Sequence, residues 1–343
     1  MIYPDFIKPG DTIACTAVSD GVGEELDKKR FENGRDNLKK NGYDVIFTDN
    51  VFTADKWYRS SEGSVRGKEF NQLFDDDKVK AIVAAKGGNF LCEMLEYIDF
   101  DKVKNNPKWF QGYSDNTCLV HALTTKCDIA TVYGNNFGDF GAYEWDESVR
   151  NHMNILTGKK LLQTSYKRYQ HDRVDSVTGL EGYNYDRDVD WKINKEFETA
   201  DASVTFSGRL IGGCMDVLRF LQGTRYDGTL EFIEKYKNDG IIWYLETFDY
   251  SGENLMMDLW KFKELGWFKY VKGFIFGRPL FFRNFEDANY TETVEYILKD
   301  LNVPIIYDCD FGHRGPRFAM VNGAVANVVW NPDHTGSMEF EFK

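Results

Sequence analysis

The chain contains no Cys-x-x-Cys pair, no His-Glu-x-x-His pattern, no apolar run of membrane-spanning length and no surplus of basic charge. Each absence removes a class of protein. The six cysteines are scattered singly, and several (Cys15, Cys118, Cys309) sit inside apolar stretches. Reduced, buried thiols in a cytoplasmic protein are therefore expected, not a disulfide framework. Five histidines without ligand spacing argue against a metal site, and no cofactor is expected. Lys and Arg number 42 against 55 Asp and Glu, a formal net charge of −13. That is the wrong balance for a protein that grips a nucleic-acid backbone, which needs a clustered basic surface. It still permits a small anionic ligand held by one or two local cations. The opening "MIYPDFIKPGDTIACTAVSD" lacks a basic region followed by an apolar stretch, so neither a signal peptide nor membrane insertion is expected. There is no internal repeat and no low-complexity tract.

What is present is a globular composition: 343 residues, 42% apolar and 16% aromatic, enough for two domains and an ample core. Strand-like and helix-like segments alternate through the first half. "DTIACTAVS", "YDVIFTD", "VKAIVAAK" and "KWFQGY" read as strands. "GEELDKKRFENGRDNLKKNG", "SEGSVRGKEFNQLFDDD", "FLCEMLEYID" and the segment after Ser114 read as helices. This alternation predicts a parallel sheet covered on both faces, of the Rossmann or flavodoxin-like type, with ligands beyond the carboxyl ends of its strands. We place this N-terminal α/β domain at residues 1–160. Residues 161–203 are polar, rich in Tyr, Asp and Arg, and lack a sustained apolar period, so they are expected to form a linker with a functional loop. Residues 204–343 are expected to form a smaller C-terminal α/β domain with a mixed sheet. Its strands are "IIWYLE", "VKGFIFGRP", "VPIIYDCDFG" and "FAMVNGAVANVVWN", and it opens on a strand, a glycine turn and a helix in "VTFSGRLIGGCMDVLRFLQG".

Polar residues or glycines repeatedly follow apolar strands. Gly87-Gly88 follow "AIVAA", Ser114 follows "KWFQGY", Glu246 ends "IIWYL", and His313 follows "VPIIYDCDFG". Converging strand ends would bring together a hydroxyl, an imidazole, a carboxylate and a bare backbone turn, the parts of an acyl-transfer site. Ser114 has a competing role as a helix cap. The elbow pattern Gly-x-Ser-x-Gly is not met, because Asn116 stands where the second glycine belongs.

The chain resembles the LD-carboxypeptidase family of serine peptidases, which includes the microcin C self-immunity peptidases. The resemblance runs through "IKPGDTIACTAVS", "AAKGGNF", "NPKWFQGYSDNTCLVHAL", "TVYGNN", "GRLIGGCMDVLRFLQGTRY", "IIWYLET", "GFIFGRP" and "VPIIYDCDFGHRGPRFAMVNGAVA". It implies that Ser114 is the nucleophile, His313 the general base and Glu246 the orienting acid, with the amides of Gly88 and Asp115 as the oxyanion hole. It also implies a site between the two domains and a homodimer. One departure is Lys86-Gly87-Gly88-Asn89-Phe90, where members commonly carry Arg-Gly-Gly-Tyr-Gly. Lys86, Gly87 and Asn89 would line the substrate there.

The resemblance implies hydrolysis of an L,D-peptide bond in murein-type peptides, or of the acyl link in an aminoacyl-nucleotide. A product carboxylate calls for a cation, with Lys86, Arg59, Arg278, Arg314 and Arg317 as candidates. A nucleotide base calls for an aromatic face, with Trp191, Tyr183 and Tyr185 as candidates. A ligand-binding protein of the same architecture without turnover is the alternative of another class.

Overall fold

The computed structural model describes all 343 residues. The apolar runs of the first half form β1 (Thr12–Thr16), β2 (Asp44–Phe47), β3 (Val79–Ala84), β4 (Trp109–Gly112) and β5 (Thr131–Tyr133). Short strands follow at β6 (Leu162–Thr164), β7 (Arg168–Tyr169), β8 (Arg187–Asp188) and β9 (Lys192–Ile193). The remaining strands are β10 (Val204–Cys214), β11 (Ile241–Glu246), β12 (Val271–Gly277), β13 (Ile305–Cys309), β14 (Met320–Asn322), β15 (Val325–Trp330) and β16 (Gly336–Glu341).

The first sheet runs β14-β5-β4-β3-β1-β2. Its five N-terminal strands are parallel in the order 2-1-3-4-5. That is the flavodoxin-like order, and its topological switch lies between β1 and β3. The antiparallel β14 joins it from the far end of the chain. Helices α1 (Glu25–Lys40), α2 (Gly63–Gln72), α3 (Phe100–Asn105) and α4 (Thr117–Cys127) connect the strands. In α1, Phe31, Gly34 and Leu38 recur at helical spacing and are buried, while acidic residues open and lysines close the helix in line with its dipole. Residues Leu91–Tyr97 form a 3₁₀ turn, not the expected α-helix. The Leu91 N–H is taken by the Asp115 carboxylate and Asp99 caps α3, which leaves too short a span for an α-helix to settle.

The second sheet runs β6-β16-β15-β10-β11-β12-β13-β9 and is mixed, with eight strands against six in the first. Its strands bury both faces by alternation: Leu210, Ile242, Tyr244, Ile275 and Ile306 join a core of 65 residues shared with the first sheet. Ile211, Trp243, Leu245, Phe274 and Ile305 join a separate cluster of 21 on the other face. Gly212 and Gly213, expected as a turn, lie within β10. A Cβ at Gly212 would come 1.8 Å from the Tyr244 carbonyl oxygen, and one at Gly213 (φ +145°) 2.5 Å from Thr117 Cγ2. These glycines serve close approach, not reversal. Residues 161–203, expected as a linker, supply both edge strands of this sheet, β6 and β9, and the small β7–β8 hairpin between them.

Candidate active site

Ser114 stands where β4 turns into α4, with φ at +67°, a left-handed conformation that costs a serine free energy. The turn is held by its neighbours. A Cβ at Gly112 would lie 2.8 Å from that of Ala84, so only glycine lets β4 leave the sheet here. Asn116, in the place of a second elbow glycine, donates through its amide to the carbonyls of Lys86 (3.1 Å) and Tyr113 (2.9 Å) and to Asn136 Oδ1 (3.0 Å). The serine hydroxyl does not cap α4. It points instead to His313 Nε2 at 3.0 Å.

His313 Nδ1 lies 2.9 Å from Glu246 Oε2, so Nδ1–H donates to the carboxylate and Nε2 is left to accept from Ser114. Glu246 ends β11, and Gly312 (φ +96°) lets the loop after β13 close on it: a Cβ there would be 3.0 Å from Oε2. Glu246 is wholly buried. Burial alone would raise its carboxyl, but the His313 charge and hydrogen bonds from His313, Tyr133 and Cys214 hold it below the usual carboxylate range. Its other oxygen accepts from Tyr133 Oη at 2.5 Å, and Tyr133 Oη in turn accepts from the Ser114 N–H at 3.2 Å. One phenol thus ties the strained serine to the buried acid. Cys214 Sγ, Glu246 and His313 lie within 4.8 Å of one another, the one group that could hold a metal. Burial pushes the Cys214 thiol far up, so it stays protonated, and the other two are spent on the hydrogen-bond chain.

The glycine turn after β3 closes the other side. A Cβ at Gly87 would sit 2.9 Å from Ser114 Oγ, so glycine is required beside the hydroxyl. Gly88 (φ +155°) packs against Asp20, which follows β1. The Asp115 side chain accepts from Ser19 Oγ (2.5 Å) and the Leu91 N–H (2.8 Å), locking the serine turn to the glycine turn. Ser114, His313 and the glycine turn open on a cleft of about 910 Å³ lined also by Lys86, Asn89, Arg173, Phe220 and Phe248, with Glu246 buried behind His313. Phe248 packs against the His313 ring, tilted by 43° with 4.5 Å between centroids.

Lys86 lines the cleft but is paired with Asp27 at 2.7 Å. Two other candidates are corrected. Trp191 is 1% exposed, donates Nε1 to Asp310 at 3.0 Å and offers no face to a ligand. Arg314 does not line the cleft, and its guanidinium donates to the Leu280 carbonyl. Arg59, Arg278 and Arg317 are paired with Asp55 and Glu93, Asp310, and Asp139 respectively, while the Tyr183 and Tyr185 hydroxyls meet Arg317 and Asp146. Sequence reasoning missed Asp20, Tyr133, Arg173 and Phe248. Asp20 carries the same signal as Ser114, a polar residue just past an apolar strand.

The family model described as the LD-carboxypeptidase N-terminal domain matches residues 13–134, and that of the C-terminal domain matches 207–328. The chain belongs to the LD-carboxypeptidase family. It is a hydrolase of the serine-peptidase type. A Vibrio cholerae protein that bears the name carboxypeptidase is 25% identical over 99% of this chain and 98% of its own. The microcin C7 self-immunity protein MccF of Escherichia coli is 27% identical over 66% of each chain. The structure of MccF in complex with aspartyl sulfamoyl adenosine shares the fold at a TM-score of 0.81, with 21% identity over 100% of this chain and 99% of that one.

Proposed function

We propose that this LD-carboxypeptidase-family protein is a serine carboxypeptidase that cleaves an L,D-peptide bond of murein-type peptides. The observation that carries the reading is the continuous chain Ser114 Oγ to His313 Nε2 (3.0 Å) and His313 Nδ1 to Glu246 (2.9 Å) at the floor of the cleft. Ser114 Oγ attacks the carbonyl carbon while its proton passes to Nε2, because a neutral hydroxyl is too weak a nucleophile. The carbonyl oxygen takes up the electron pair and is met by the N–H groups of Gly88 and Asp115, donors worth about 3–4 kcal/mol each where such groups have been removed. The C–N bond then breaks, and the leaving nitrogen takes its electron pair and the proton from Nε2. Water repeats the sequence with His313 as base and frees the acyl group and Ser114. Glu246, dry and ionised, keeps one tautomer and balances the imidazolium between the steps.

A second reading, hydrolysis of an aminoacyl-nucleotide, is favoured by one observation: Phe220 lies at the cleft and is 69% exposed, an aromatic surface for a base beside the Arg219 guanidinium, 5.3 Å from its ring centre. MccF, whose fold this chain shares, has been solved with such a ligand. The test assays wild type and Ser114→Ala on an L,D-tetrapeptide ending in D-Ala and on an aminoacyl-sulfamoyl adenosine. Release of D-Ala by wild type, reduced at least a thousandfold in the variant, is the expected result. Turnover of the nucleoside alone would select the second reading. Equal rates for the two proteins would remove Ser114 from both.

A further inference from the structure

Two charged side chains of the cleft have no ion pair and no side-chain hydrogen bond: Asp20 beside the glycine turn, and Arg173 beside the Phe248 ring next to His313. Asp20 is half-buried beside the glycine turn, and its Oδ1 is buried without a hydrogen-bond partner. It abuts Gly88 closely, since a Cβ on that glycine would come 2.2 Å from Oδ1. Arg173 comes from the loop between β7 and β8. Its guanidinium carbon sits 5.7 Å from the centre of the Phe248 ring, which itself packs at a tilt against His313. Each of the other cleft cations is engaged: Lys86 by Asp27, Arg219 by Asp258 at 3.5 Å, and Arg30 by the carbonyls of Gly138, Gly179 and Glu181. Arg173 has no such partner.

The catalytic geometry gives these positions a chemical meaning, and to this extent the inference rests on the function proposed above. The glycine turn receives the carbonyl oxygen, and the acyl half must lie away from His313 Nε2, where the leaving nitrogen is protonated. The side of His313 Nε2 must face the leaving nitrogen, which receives its proton there, and with it the leaving half. We propose that the cleft reads charge polarity across the scissile bond, with Asp20 receiving an ammonium on the acyl half and Arg173 an anionic group on the leaving half. A basic residue joined to a D-amino acid has this polarity, with its side-chain ammonium and terminal carboxylate. An aminoacyl-nucleotide has it too, with its α-ammonium and acidic linkage. The shared chemistry is a cation before the bond and an anion after it.

Burial pushes the Asp20 carboxyl up to about 6, so near neutral pH it is ionised without being satisfied, a state that an incoming ammonium relieves. Phe248 is held in place by its N–H, which donates to Asp216 at 2.9 Å, so the platform under Arg173 is fixed while the arginine is exposed on its loop.

The test measures binding, not turnover, on Ser114→Ala protein at pH 7.5 by calorimetry. The probes are Nα-acetyl-lysyl-D-alanine, norleucyl-D-alanine with a free α-amine, Nα-acetyl-norleucyl-D-alanine, and the C-terminal amide of the first. Loss of the ammonium and loss of the carboxylate are each expected to weaken binding about tenfold or more, as for charged hydrogen bonds. The first penalty should vanish on adding Asp20→Asn, and the second on adding Arg173→Gln. Asp20→Ser serves if the asparagine variant misfolds. The first two probes tell a side-chain ammonium from an α-ammonium. Equal affinities for all four probes, penalties that persist in the variants, or no measurable binding would overturn the proposal. Polarity in binding without hydrolysis by the wild type would instead count against the catalytic reading alone.

Discussion

At the residue scale, Asp20 shows a cleft residue costing stability. The carboxyl has an ordinary value of 3.8 and reaches about 6 here, because burial outweighs the nearby charge of Lys86. Asp115, Arg66 and Asp55 are the other charges acting on it. A carboxyl raised on folding favours the fold while protonated, so its contribution is complete below about pH 3.8 and is lost as the pH climbs through about 6. Asparagine cannot ionise. Asp20→Asn should therefore be more stable than wild type at pH 7.5 by ~1 kcal/mol, a figure discounted because the group is half exposed, and no more stable at pH 4. Urea unfolding at the two pH values checks this, and an equal difference at both would contradict it.

Other residues were legible for reasons that are physical and local. Ser114, Glu246 and His313 each follow an apolar strand, and strand ends are where a parallel sheet presents its ligand-binding groups. Arg173 and Trp191 were not legible, for one reason. Both lie in residues 161–203, where strands of two or three residues are too short to carry a period. Without that period an aromatic side chain there cannot be assigned to solvent or core, and Trp191 turned out to be core.

At the element scale, β7, β12 and β13 meet in one buried ion pair. Arg278 follows β12, Asp310 follows β13, and the guanidinium stacks 4.2 Å from the ring centre of Tyr169 in β7. Asp310 also accepts from the Tyr166 N–H (3.1 Å) and from Trp191 Nε1 (3.0 Å), so this carboxylate holds the base of the loop that bears His313. Arg278→Met should leave it buried without a cation and cost about 3–5 kcal/mol of stability. Adding Asp310→Asn should recover part of the loss, since an amide carries no charge to bury. A loss below about 1 kcal/mol for the single change, read from denaturant melts, would mean that the pair is not what anchors these elements. The tertiary partners that decide such short elements lie over a hundred residues away in the chain, which is why β6 and β9 were expected as linker and formed sheet edges instead.

At the scale of the whole molecule, the candidate site belongs to neither sheet. Ser114 and the glycine turn come from the first, Glu246 and His313 from the second, and one core of 65 residues runs through both. The strand β14, far along the chain, completes the first sheet and seals the join. Local pattern reading could nominate the members but not bring them together; only the resemblance to a known family did that before the fold was seen. The central claim is that this assembly makes Ser114 a nucleophile, and the most direct measurement is covalent. The protein is treated with a fluorophosphonate and the adduct located by peptide mass mapping. The account predicts a single adduct on Ser114, absent in Ser114→Ala and at least a hundredfold slower to form in His313→Ala. An adduct on another residue, no adduct, or labelling of Ser114 that is indifferent to His313 would contradict it.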